Sequence, residues 1–412
     1  MRTTALLALT LSALPAFAGI DTNRIEQITG LKGVWNAAEG VFKVSQPRND
    51  LAVKVDEWTM PPFMGLTSWA AFLEAKKAEV MVMGDLVLFE DEVNPVMSAA
   101  LEHGLGVTAL HNHFFHAEPA VYFMHIGGEG AVETLAGGVQ AAFGKVREIR
   151  SATPQPVKSF GGGIPAKNAI SAAPLAEVFN AKSQEKDGMV KFVFGRVARM
   201  ECGCEAGKEM GVNTWASFGG TDDNAVVDGD FASREDELQV VLKSLRRGGI
   251  NIVAIHHHMI GEQPRYVFLH YWGRGKAGEL ARALKTARGE QNKVAGAAAR
   301  AEGGFKEIAA ADYEKRRAKG KAVVLDVRSP QEFAQGHVPG ALNIDVNEPG
   351  FAAKAAKLDK SKVILVNCHA GSRGAIASAQ LAKLGFKTVC NLEGGLAEWE
   401  KAGHHAETKN EP

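Results

Sequence analysis

Cysteine is scarce in this chain, with four residues in 412. Four thiols allow at most two disulfides, so a disulfide-stapled scaffold is excluded. Net charge is also lacking, since 47 basic residues balance 47 acidic ones. No field of one sign marks out a nucleic acid or a membrane surface as partner. Long hydrophobic runs are missing too. The one sustained apolar stretch runs from Ala5 to about Pro15, too short to span a bilayer. It follows Arg2 and precedes small residues at Ala16 and Ala18, the layout of a secretory signal peptide over 1–18 with cleavage after Ala18. The expected mature protein is exported without a membrane span or lipid anchor, and periplasmic if the host is Gram-negative. At this length two or three domains are expected.

What is present begins with an internal duplication. VTALHNHFFHAEPAVYFMHIGG (Val107 to Gly128) is matched by IVAIHHHMIGEQPRYVFLHYWG (Ile252 to Gly273) at an offset of 145. MGDLVLFEDEVNPVM (Met83 to Met97) faces DGDFASREDELQVVL (Asp228 to Leu242) at the same offset, and TSWAAF (Thr67 to Phe72) faces NTWASF (Asn213 to Phe218) at 146. The copies are placed at 19–145 and 146–290. In the first, Val93, Val96, Met97, Ala100 and Leu101 recur at helical spacing. Strands flank that helix and a second helix closes the copy. The pattern predicts a β-α-β-β-α unit, hence an α+β fold with a largely antiparallel sheet, present twice. Two copies are too few for a solenoid and suggest two pseudo-symmetric halves.

ALHNHF, the downstream proline and MHIGG resemble the LppY/LpqO family of bacterial envelope proteins, itself a domain of unknown function. The resemblance implies a compartment and a fold unit but no reaction. The second copy departs from it at His257, which replaces Asn112, and at Gly261, which replaces His116.

Alternate residues of a strand share a face, so His111 projects with His113, and His256 with His258, while His257 turns away. A hairpin would return His125 and His270 beside their own pairs, with Glu118 and Glu262 as carboxylate candidates. Such clusters suit Zn2+, Cu2+ or Fe2+. Half-buried, mutually hydrogen-bonded histidines with a structural or pH-responsive role, and metal-free catalysis, are the other readings. The first copy is preferred if one site is active. His111-x-His113 with Glu118 also resembles a cupin metal motif, but the preceding helix does not suit an all-β barrel.

Past the copies, residues 288–303 are rich in Ala and Gly without an apolar stripe, and they read as a linker or frayed helix, with the linker itself at 291–303. A unit at 304–405 follows, then a polar tail at 406–412. Here Cys368-His369-Ala370-Gly371-Ser372-Arg373 lies between an apolar strand-like run (Val363 to Asn367) and a helix-like segment (Gly374 to Gly385). Backbone N–H groups and the positive end of a helix dipole converge on a cysteine so placed, which suits an anionic sulfur nucleophile. Gly371 lets the turn close, and Arg373 offers a forked cation for an oxyanion.

LDVRSPQEFAQGHVPGALNI (Leu325 to Ile344), CHAGSR and NLEGGLAEWEKAG (Asn391 to Gly403) together resemble a single-domain rhodanese. The resemblance implies an α/β domain with a parallel sheet. It also implies that Cys368 takes a sulfane sulfur from thiosulfate or a persulfide, holds it as a persulfide and passes it to a thiol or cyanide, with no cofactor. The six-residue loop from Cys368 to Arg373 argues against the related phosphatases, whose loop is one residue longer. A second implied use is as a non-catalytic adaptor in a metal- or sulfur-responsive binding protein.

The remaining candidates read more simply. Cys390 sits in an apolar segment as a structural thiol. Cys202 and Cys204 are loop thiols, a labile local bond, a soft-metal pair or a resolving thiol. Trp69 and Trp215 read as core, Asp326, Arg328 and His337 as braces, and His404 and His405 as part of a disordered tail.

Overall fold

The computed structural model describes residues 19–157, 159 and 163–408. The predicted signal peptide therefore lies outside the described residues, as do 409–412.

The first half runs α1 (Thr22–Thr29), β1 (Gly33–Asn36), β2 (Val41–Pro47), β3 (Thr67–Glu74), β4 (Val80–Phe89), α2 (Glu90–Glu102), β5 (Gly106–His111), β6 (Val121–Gly130) and α3 (Val132–Ala152). The second repeats it as α4 (Ala172–Phe179), β7 (Gln184–Lys186), β8 (Met189–Gly195), β9 (Asn213–Thr221), β10 (Asn224–Arg234), α5 (Leu238–Arg247), β11 (Asn251–His256), β12 (Tyr266–Gly275) and α6 (Ala277–Glu302). All twelve strands form one sheet in the order β1-β2-β3-β4-β6-β5-β11-β12-β10-β9-β8-β7. Read from the two ends, the order is the same.

This corrects the expected unit. The segment β4-α2-β5-β6-α3 is only the later part of each half, and the region is a single large antiparallel sheet rather than two separate β-α-β-β-α units. The sheet strands β1, β2 and β3 fall outside the predicted unit because the longest matched motifs lie downstream of them.

The halves meet where Leu110 of β5 pairs with Ile255 of β11. Each of these central strands carries a register shift, between Val107 and Ala109 and between Ile252 and Ala254. A bulge leaves backbone groups without ladder partners. Side-chain amides supplied across the join fill them. Gln239 accepts from Val107 N and donates to Val107 O, at 2.9 and 2.8 Å, and Asn94 accepts from Ile252 N and donates to Ile252 O, at 2.7 and 3.1 Å. Residues 94 and 239 are equivalent in the duplication, so each half completes the other's bulge.

Strand alternation sends one side chain in two to each face. On β3, Ser68, Ala70 and Phe72 are buried while Thr67, Trp69 and Ala71 are half-buried. Ala70 and Phe72 join the main core beneath the helices, with Phe42, Val82, Val96, Leu135, Val241 and Leu284. The second set shares the opposite face with the histidines. Trp69 and Trp215, expected in the core, lie here instead, with Lys43 Nζ and Lys191 Nζ each 4.2 Å from the indole centroids.

The C-terminal unit runs β13 (Lys306–Ile308), α7 (Ala310–Arg317), β14 (Val323–Asp326), α8 (Pro330–Gln335), β15 (Leu342–Asn343), α9 (Phe351–Ala355), β16 (Ile364–Asn367), α10 (Ser372–Lys383), β17 (Val389–Leu392) and α11 (Gly395–Lys401). Its five strands are parallel, as the rhodanese resemblance implies, in the order β13-β17-β16-β14-β15.

Residues 288–302 are neither linker nor frayed. They are the second half of the 26-residue α6 and pack on α10. Ala299 meets Ala375 and Ala379, and a Cβ at Gly296 would stand 2.8 Å from Ser372 Cβ. Two helices this close need small residues, so the contact shows no stripe of large apolar side chains. The tail is also held as far as it is described: Glu407 N donates to His337 O at 2.9 Å, and His404 stacks on Trp399. This corrects the expectation of a disordered tail, whose Glu407 is anchored to a residue distant in sequence.

Candidate functional site

Cys368 follows β16 directly, at the carboxyl end of the parallel sheet, where ligands of open α/β sheets bind. Gly371 stands at φ 87°, turning the chain into α10 and aiming its N–H at Cys368 Sγ, 3.1 Å away. The first amides of α10 have no intrahelical acceptor and carry the positive end of the helix dipole. The residue is only 1% exposed, whereas His369 and Ala370 beside it are exposed. A sulfur donor must therefore enter past those two residues.

The surrounding motifs fix this loop. Leu396 N donates to Cys368 O at 2.7 Å and Ala397 N to His369 O at 3.1 Å. Gly394 and Gly395 both have positive φ, and a Cβ on Gly395 would lie 2.5 Å from Cys368 O. Asn391 donates to Gly371 O at 2.9 Å. On the other side, buried Asp326 binds Arg328 through both carboxylate oxygens and accepts from Asn367 at 2.9 Å. These two residues brace the loop, and His337, bonded to Phe333 O at 2.9 Å, is structural as well.

Arg373 is placed differently from the expectation. Its Nη1 and Nη2 donate to Glu332 at 2.7 and 2.6 Å, so its fork is engaged by a carboxylate of α8. Burial alone would raise the Glu332 carboxyl, but the hydrogen bonds and charge of Arg373 and the N–H of Ser329 outweigh it and hold the pKa at about 2.

The histidines gather on the open face of the large sheet. In the first half His125 Nε2 lies 3.1 Å from His111 Nε2, and His113 stacks on Phe123 with centroids 3.4 Å apart. In the second half His258 Nε2 lies 3.1 Å from His256 Nε2, His258 stacks on Phe268 at 3.6 Å, and His270 stacks on His256 at 4.7 Å. His257, like His258, is exposed.

The carboxylates at these clusters are not the ones the sequence suggested. Glu118 sits in a two-residue strand paired with Lys54, and Glu262 is buried with Oε1 accepting from Tyr266 N at 2.8 Å. Asp230 stands beside His258 instead, with Oδ2 3.2 Å from its Nε2. Asp85 and Asp230 are the cross-strand partners of His125 and His270. The available signal was the matched MGD and DGD at the duplication offset. Among the described residues, the donors that come together as metal ligands could are those of Asp230, His256 and His258, within 4.8 Å of one another. They are in the second half, not the preferred first.

The other cysteines carry no bridge. Cys202 and Cys204 are free and exposed about Gly203, and Cys390 is free and buried in β17, where burial pushes its thiol up.

Comparison with known proteins accounts for both parts. The family model for a rhodanese-like domain matches residues 309–402. Over 95 residues the chain is 37% identical to thiosulfate sulfurtransferase GlpE of Ectopseudomonas mendocina, covering 23% of this chain and 84% of that protein. GlpE of Pseudomonas putida is 36% identical over 104 residues, covering 25% and 92%. Thiosulfate sulfurtransferase 16, chloroplastic, of Arabidopsis thaliana is 35% identical over 89 residues, covering 19% and 74%. These likenesses support a sulfurtransferase-type function for the C-terminal unit. No helix among the described residues is long and apolar enough to cross a membrane. The model described as Domain of Unknown Function (DUF1259) matches residues 23–145 and 173–289, more than half of the chain. The protein thus belongs to the Domain of Unknown Function (DUF1259) family, with its domain in two halves, and ends in a rhodanese-like domain.

Proposed function

We propose that the protein is an exported sulfurtransferase that carries sulfane sulfur as a persulfide on Cys368. The observation that carries this reading is the placement of Cys368 Sγ at the mouth of α10, with the Gly371 N–H 3.1 Å away. In the first step Cys368 thiolate attacks the outer sulfur of thiosulfate. An S–S bond forms on the protein, the S–S bond of thiosulfate breaks, and sulfite leaves with the electron pair. In the second, a thiolate or cyanide attacks the outer sulfur of the persulfide and returns Cys368 as thiolate. No general base is required when the nucleophile enters as an anion.

The amides at the start of α10 and the loop N–H groups hold the donor's negative charge. With its fork on Glu332, Arg373 contributes rigidity to the loop. Export rests on the layout of residues 1–18. Mass spectrometry tests the reading. Protein treated with thiosulfate gains the mass of one sulfur on the peptide holding Cys368, and the gain is removed by cyanide. An unmodified Cys368 would refute it.

The low exposure of Cys368 favours a second reading, an adaptor in which the closed loop binds without turnover. A Cys368→Ser protein that keeps every biological property of the wild type would select it.

A further inference from the structure

The clearest chemistry outside the sulfur loop lies on the second-half histidine face. The geometry points to a site for one divalent first-row transition metal, of the Zn2+ or Fe2+ class, held by Asp230, His256 and His258 with a coordination position left open. Asp230 is on β10, His256 ends β11, and His258 follows two residues later, so two backbone segments deliver the three donors.

The donor spacing supports an ion. His258 Nε2 lies 3.1 Å from His256 Nε2 and 3.2 Å from Asp230 Oδ2. Ligands at tetrahedral metal–ligand lengths stand about 3.3 Å apart, close to both separations. A single proton on His258 Nε2 serves one of these contacts and leaves the other unexplained. An ion among the three serves both.

A separate observation is the carboxylate itself. Asp230 is 3% exposed, and its Oδ1 is buried without a hydrogen-bond partner among the described residues. An anion removed from water in this way needs a cation or donors to compensate it. The imidazoles are already oriented, His258 by Phe268 and His256 by His270.

The open position follows from the space beside the donors. A cavity of about 280 Å3 is lined by Asp230, His258, Trp215, Asn213, Lys191 and Lys208, among others. Three protein ligands facing room for a small molecule is the arrangement of a reactive metal rather than a closed structural one. Two imidazoles and one carboxylate suit zinc or ferrous iron. Lys191, whose Nζ lies over the Trp215 ring, offers a cation to the fourth ligand, while Glu209 also lines the cavity. Lys208 also pairs with Glu348 of the C-terminal unit at 3.0 Å, so this cavity borders the domain contact.

The test uses full-length protein stripped with a chelator, dialysed, and titrated with Co2+ as a spectroscopic probe. The expected result is visible d–d absorption that saturates with bound metal, bleaches as Zn2+ displaces Co2+, and shifts when azide enters the open position. Asp230→Asn and His258→Ala should each lower the bound metal by one equivalent, and His113→Ala should not. His258 is a third exposed, so its variant is expected to fold, as circular dichroism will show. Absence of uptake, or the same stoichiometry in folded His258→Ala protein, would overturn the site. A spectrum indifferent to azide would overturn the open position.

Discussion

Glu332→Gln isolates the brace between Arg373 and α8. In the wild type the carboxyl is depressed from 4.5 to about 2, and its side chain is 12% exposed, so solvent screens the pair little. At 1.36 kcal/mol per unit, the shift corresponds to about 3 kcal/mol of stability. The folded value lies below the unfolded one, so this stability is fully present above pH 4.5 and is lost as pH falls through 2. Glutamine keeps the shape and some hydrogen bonding but leaves the guanidinium uncompensated, for an expected cost of about 2–3 kcal/mol at neutral pH. A thiol provides the assay. With Cys202, Cys204 and Cys368 replaced by Ser, the remaining Cys390 is fully buried in the C-terminal sheet and reacts with a thiol reagent only when that unit opens. Labelling should accelerate roughly 30- to 150-fold in the Gln variant when reclosing outpaces labelling. The difference between the proteins should narrow below pH 4.5. An acceleration under about threefold, the range of an exposed ion pair, would refute the brace.

Three further outcomes follow from packing and thiol chemistry. Gly395→Ala places a methyl 2.5 Å from Cys368 O at a φ of 64°, and its displacement of the loop should lower sulfur transfer about 100-fold, read by steady-state kinetics. Gly296→Val should force α6 off Ser372, cost about 1–3 kcal/mol, and expose the chain near 303–305 to limited proteolysis. Hydrogen bonds from the Cys204 side chain and backbone lower the Cys202 thiol, while Cys204 is raised, so iodoacetamide should alkylate Cys202 first, as peptide mass spectrometry will show.

The two parts differ in how much of them could be read from the chain. The sulfur loop is a local structure. Cys368, Gly371 and Arg373 lie within six residues, and the segments that brace them are contiguous motifs, so the fold and the grouping of these residues in one loop were legible. Even so, the partner of Arg373 lies 41 residues away, and its carboxylate changes an anion fork into a brace. On the large sheet the histidines were legible because alternation predicts their faces. Asp230 was not, because its place beside His258 depends on the register of β10 against β12 and on the return of β11, which spacing along one strand does not reveal. The same limit explains Trp69, Trp215 and α6. Whether an aromatic lies in the core or beside a lysine, and whether an Ala/Gly helix is a tether or a packed surface, is decided by what faces it.

The central claim is sulfur transfer at Cys368. Its most direct test is the rate of thiocyanate formation from thiosulfate and cyanide, compared between the wild type and a Cys368→Ser variant of verified fold. The account predicts turnover in the first and none above background in the second. Equal rates in the two proteins, or a folded and reduced wild type with no turnover, would contradict it.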